Sequence, residues 1–182
     1  MLFRRRLLVG LLVVLASLPA AAAELSIDVV IESAGNGPEL IAPKHPFSFF
    51  VVLTNNTDHR LGIWKDWCSY GYFNLSFDFV GKDGKVLHVE KGGQMWTMNS
   101  PDMYDLGPGK HYVLTPVLEP DVNGEGGWTG TGGLDGTMTV KAIYQCAKAR
   151  PPDLAATDEK FKDAWAGKIE SEPVQVTFKR ED

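Results

Sequence analysis

The stretch Met138-Thr-Val-Lys-Ala-Ile-Tyr-Gln-Cys146 constrains the fold more than any other in the chain. Met138, Val140, Ala142, Tyr144 and Cys146 fall on one side of an extended backbone, and Thr139, Lys141 and Gln145 on the other. Side chains alternate across a strand with a period of two, so this pattern predicts a strand with one buried and one wetter face. Such a strand folds only if a second layer covers its apolar side.

The same alternation recurs at Leu25, Ile27, Val29 and Ile31, at Phe73, Leu75, Phe77 and Phe79, and at Val174, Val176 and Phe178. Residues 47–54 are almost continuously apolar, as in a central strand covered on both faces. Leu61–Trp64, Val86–Val89 and His111–Leu118 complete the predicted strands. Turn signals separate them. Asn55 to Asp58 tolerates left-handed backbone, Asp83-Gly84 suits a hairpin, and Leu106-Gly-Pro-Gly109 suits a tight turn. Asp121 to Gly136 is too rich in glycine to order cheaply into a regular element. Asp153 to Ala166 has helix-forming composition, with Leu154, Phe161 and Trp165 able to face inward. The expectation is an all-β antiparallel sandwich of about 7–9 strands with at most one short helix.

The first residues carry an address. Arg4-Arg5-Arg6 precedes the apolar run Leu7 to Leu15 and the small residues Ala20 to Ala23. A basic start, a short apolar core and a small-residue site predict a secretory signal peptide over residues 1–23. Cleavage leaves a single domain over 24–182, periplasmic or secreted, with 159 of the 182 residues. Three arginines leave with the leader, moving the formal net charge from −5 to −8. An acidic surface repels phosphate, which argues against nucleic acid as a partner. No second apolar run of membrane-spanning length follows, so no membrane span is expected in the mature chain.

Two cysteines remain, Cys68 and Cys146. In an oxidising compartment an even pair most simply forms a disulfide, and one closing so long a loop would stabilise by about 4 kcal/mol. A reactive or metal-bound thiol is the alternative reading.

Trp64 and Trp67 sit just before Cys68, and Trp64 reads as core. Trp128 stands alone in the glycine-rich run. It is the candidate ligand-binding residue, an exposed contact for a sugar or a protein. The other reading folds it back as a plug over the end of the sandwich. Met95, Met98 and Met103, with His88 and His111, have ligand chemistry for copper but no recognisable spacing. Asp121, Asn123 and Glu125 start like a calcium loop, yet the twelfth position is Gly132 where a carboxylate is needed. No metal or cofactor is therefore expected. Asn55-Asn-Thr57 and Asn74-Leu-Ser76 fit glycosylation sequons. Gly-x-Ser-x-Gly, His-Glu-x-x-His and Gly-x-Gly-x-x-Gly are all absent, so the chain is not expected to be an enzyme.

Tyr144-Gln-Cys146 resembles the corner strand of immunoglobulin domains, where a Tyr stands two residues before a Cys. With the stretches at 49–57, 77–84, 106–109 and 165–174, the chain looks like exported bacterial immunoglobulin-like proteins. From Phe47 to Leu118 the order of strands and turns is similar to the small β-sandwich of BsuPI-type proteinase inhibitors. The first resemblance implies an immunoglobulin-like binding module with a protein or carbohydrate partner. The second implies a proteinase inhibitor, with no inhibitory loop that maps onto a residue here.

Overall fold

The structure is a computed structural model and describes residues 23–31, 47–96, 100–119, 126–147 and 159–178. The expected leader, all but its last residue, and the Asp121–Glu125 loop lie outside the described residues, as does Met98.

The described chain is mostly strand, in several antiparallel sheets. In chain order the strands are β1 (Leu25–Val30), β2 (Phe47–Ser48), β3 (Phe50–Asn55), β4 (Leu61–Trp64), β5 (Leu75–Gly81) and β6 (Val86–Lys91). There follow β7 (Met103–Leu106), β8 (His111–Leu114), β9 (Val117–Leu118), β10 (Trp128–Thr129), β11 (Gly136–Cys146), β12 (Gly167–Glu170) and β13 (Val174–Phe178). The thirteen strands among the described residues exceed the expected 7–9 because β2, β9 and β10 are two-residue pieces, too short to leave a period in sequence, and β7 and β12 fall where no strand was expected. No α-helix occurs among the described residues. The end of the segment expected to be helical forms a 3-10 turn at Glu159–Phe161.

β11 is the longest strand and the axis of a six-stranded sheet ordered β10-β6-β5-β11-β12, with β13 also on β11. Its predicted inward residues, Met138, Val140, Ala142, Tyr144 and Cys146, are all buried. β5 covers one edge of it from Met138 to Tyr144. The other edge is shared: β12 pairs with Ile143–Cys146 and β13 with Gly136–Val140. The register slips by one residue between them, as at a bulge. Ser171 repairs the ladder there. Its N–H donates to the Ala142 carbonyl at 2.9 Å, and its Oγ accepts the Ala142 N–H at 2.9 Å.

A three-stranded sheet, β1-β3-β8, faces the larger one across a shared core. Leu25, Ile27, Val51, Leu53 and Leu114 come from the small sheet; Phe77, Phe79, Val89, Val140 and Val176 come from the large one. Phe77 is central. Its ring meets Phe49 edge-on at 5.0 Å and lies 5.4 Å from Trp128. The apolar run at 47–54 divides at Phe49, which leaves the ladder and turns into the core; β3 then alternates buried and half-buried residues. β8 and β9 are likewise one predicted strand broken at Thr115-Pro116, because proline brings no N–H to a ladder.

Asn55, at the end of β3, is fully buried and fully bonded. Its Nδ2 donates to the His59 and Leu106 carbonyls, both at 2.7 Å, while its Oδ1 accepts from the Thr57 N–H and hydroxyl. The turn predicted from Asn55 to Asp58 is thus built on one amide. Asn74 is buried too. Neither sequon asparagine is therefore open to a glycosylating enzyme in the folded protein.

Candidate functional site

Residues 65–74, between β4 and β5, hold the site together. They wind through successive turns: the Cys68 carbonyl accepts the N–H of Gly71 at 3.0 Å and of Tyr72 at 2.9 Å, and the Gly71 carbonyl accepts that of Asn74 at 3.1 Å. A side chain at Gly71 would collide with the Lys65 carbonyl at 2.3 Å, so only glycine lets the loop close so tightly. The loop is tied to the large sheet where the Gln145 N–H donates to the Asn74 carbonyl at 2.7 Å. Its base carries an ion cluster. The Lys65 ammonium pairs with Asp102, and Lys160 reaches the same carboxylate at 3.2 Å. The Lys65 bond, then that of Lys160 and the Met103 N–H, hold the Asp102 carboxyl down at about 2.

No disulfide joins Cys68 and Cys146, contrary to expectation. Both are buried. The Cys68 thiol turns back into its own loop and donates to the Lys65 carbonyl at 3.1 Å, while Cys146 ends β11 in the core. Cys68 thus stabilises a turn instead of clasping two sheets.

Trp128 is not the exposed contact expected either. It is 2 % exposed, because β10 adds to the edge of β6, with Trp128 opposite Lys91 and Thr129 opposite Glu90. Gly130 makes this possible. It sits at φ 80°, and a Cβ there would strike the His88 carbonyl at 2.3 Å. Trp128 is folded back and buried, as in the other of the two readings. The exposed aromatics lie on the 65–74 loop instead: Trp67 is 54 % and Phe73 53 % exposed. Trp64 is core, as expected. Among the described residues the methionines and histidines lie apart. Met95 is 92 % exposed and Met103 packs over Gly62, whereas His88 bonds Asp78 at 2.7 Å and His111 bonds Thr54 at 2.8 Å.

Trp128 does help to wall a cavity of about 230 Å³ under the loop. β4 contributes Trp64, β8 contributes Tyr112 and Leu114, and β11 contributes Tyr144. Tyr72 and Gly71 come from the loop, and Thr115, Pro116 and Val117 form the lip. Five aromatic rings therefore line one hollow. Two charged residues share it, Asp66 from the loop and Lys91 from the end of β6. Aromatic walls with a few convergent polar groups are the usual make-up of a small-molecule site.

The electrostatics are unusual for a surface hollow. The Lys91 ammonium stands 4.7 Å from the centroid of Trp128 and 5.0 Å from that of Tyr72, so two ring faces hold it. Burial pushes its pKa down, and the Asp66 charge only partly opposes this. No carboxylate among the described residues forms an ion pair with it. Burial, then the adjacent Tyr104 hydroxyl and Asp66, push the Tyr112 phenol well up. Burial does the same to Tyr144, against a 3.4 Å hydrogen bond from Asn74 Nδ2. Both phenols are therefore neutral O–H groups at ordinary pH, able to donate to a ligand.

Sequence reasoning missed this cluster. Asp66 and Tyr72 are close in the chain, but Lys91, Tyr112, Trp128 and Tyr144 come from four further segments. The only local sign was the run of aromatic residues between Trp64 and Phe73. No protein-family model matches the chain, and no curated protein matches it. No helix among the described residues is long and apolar enough to cross a membrane.

Proposed function

We propose that the chain is an exported, non-catalytic binding module, an immunoglobulin-like sandwich whose ligand enters the cavity beneath residues 65–74. One observation carries the reading: five aromatic rings and two opposite charges converge on a hollow of about 230 Å³. A folded protein that places a half-buried lysine with no ion-pair partner among the described residues beside such a hollow keeps an electrostatic cost that a ligand's negative charge would relieve. The basic-apolar-small start of the sequence supports export.

The test is a titration of the purified protein with sugars, carboxylates, amines and amino acids, followed by tryptophan fluorescence. Trp64 and Trp128 both line the cavity and would report occupancy. A saturable change that disappears in Thr115→Trp, which fills the lip, is the expected result. No saturable change with any class, or one that survives Thr115→Trp, overturns the cavity as the site. Fractionation of the producing cells tests export separately, and retention of the full-length chain in the cytoplasm would sink it. Inhibition of proteinases by the purified protein would favour the likeness to BsuPI-type domains instead.

A further inference from the structure

We infer that the ligand is a free α-amino acid with an apolar side chain, an assignment that rests on the reading of the cavity as a binding site. Size limits the choice first. A hollow of about 230 Å³ lies below the roughly 300–1,000 Å³ of sites for larger organic ligands, which leaves molecules of amino-acid or monosaccharide size.

Charge then separates these. Lys91 reaches the hollow from β6 and Asp66 from the loop, and the two do not pair with each other. Asp66, an exposed residue of the loop, borders the hollow, and its charge is felt by Lys91, Tyr112 and Tyr144, which stand on three different strands. A carboxylate arriving at Lys91 supplies the charge-assisted contacts that replace the hydration its ammonium lost on burial. The same ligand's ammonium meets Asp66 and the electron-rich faces of the rings. Its apolar side chain lies among Trp64, Leu114 and Trp128. Other small ligands meet only half of this. A sugar leaves Lys91 uncompensated, a dicarboxylate is repelled by Asp66, and a simple amine is repelled by Lys91.

Isothermal titration of the full chain with leucine, methionine, phenylalanine and tryptophan tests the assignment, beside leucinamide, N-acetylleucine and glucose. At least one free amino acid is expected to bind. The amide and the N-acetyl derivative of leucine should bind about tenfold more weakly or worse, the loss of one charge-assisted contact. Lys91→Met should erase the preference for leucine over leucinamide. Asp66→Asn should erase the preference for leucine over N-acetylleucine. Circular dichroism of both variants separates these effects from unfolding. Leucinamide or N-acetylleucine binding as tightly as leucine overturns the amino-acid assignment and leaves the cavity standing. Binding of glucose alone does the same. Failure of all these and of every class in the fluorescence titration removes the cavity as a site altogether.

Discussion

The Lys91 ammonium lies 4.7 Å from the ring centroid of Trp128, its cross-strand partner on β10. The pair joins the edge of the large sheet to the cavity. It also sets a cost on the fold, because burial pushes the lysine pKa below its ordinary 10.5. Between the folded and unfolded pKa values the unfolded chain binds a proton that the folded one lacks. Stability from this group therefore rises with pH across that window, up to about 10.5. Lys91→Met should resist urea better than the natural chain at pH 7, with the gap narrowing as pH climbs. A variant less stable at neutral pH would show that the cation–ring contacts outweigh desolvation.

Asp102 titrates in the opposite sense. Its carboxyl is held down at about 2 by Lys65 and Lys160, from an ordinary 3.8. The stability it contributes is complete above about 4 and is lost as pH falls toward 2. Asp102→Asn should flatten that part of the acid-unfolding curve. Its effect at neutral pH should be about 1 kcal/mol or less, since a quarter of the side chain is exposed to screening solvent. An unchanged acid limb in Asp102→Asn would refute the assignment.

Phe77→Ala should cost about 3–5 kcal/mol in urea unfolding, because the ring is fully buried between Phe49, Phe79 and Trp128. A loss below about 1 kcal/mol would mean that the two sheets do not close on this ring as described.

Much of this core was legible beforehand. β1, β5, β11 and β13 follow the period-two pattern, since each has one face on the core, and burial on one face writes itself into the residue order, whereas β4 is buried on both faces. β12 left no such trace. Lys168 and Glu170 alternate with Gly167 and a half-buried Ile169, so its existence follows from the free edge of β11 instead of its own composition. The sequence leaves Trp128 open between an exposed contact and a plug because three of its four nearest neighbours in sequence are glycines. What buries it is the distant edge of β6, reached only because Gly130 allows the backbones to touch. The cavity was illegible for the same reason. Trp128 and Tyr144 stand out in their own segments, but nothing in the sequence joins them to Asp66, Tyr72, Lys91 and Tyr112, which only the sheet topology makes neighbours.

Ser171→Ala should leave the buried Ala142 N–H without its acceptor and cost about 1–3 kcal/mol. Hydrogen exchange would show the loss locally, as faster exchange at Ala142 with little change on β1. Exchange at Ala142 as slow as before would mean that the β12–β13 break is not held by this hydroxyl.

Asn55→Ala should cost about 1–3 kcal/mol, because the Leu106 carbonyl would lose its partner away from water and the half-buried Thr57 N–H would lose its acceptor. The loss, read from urea midpoints, should be no smaller for Asn55→Asp, which turns a carboxylate toward two carbonyls. Full stability in either variant would contradict the bonding described.

Because the Cys68 sulfur is spent on a turn and no covalent link joins it to Cys146, the tertiary structure is held by noncovalent contacts alone. Such a chain can be dissolved and re-formed by denaturant without any thiol chemistry. Dithiothreitol should therefore leave its melting temperature where it was, and a reducing cell interior is as good a place to make it as an oxidising one.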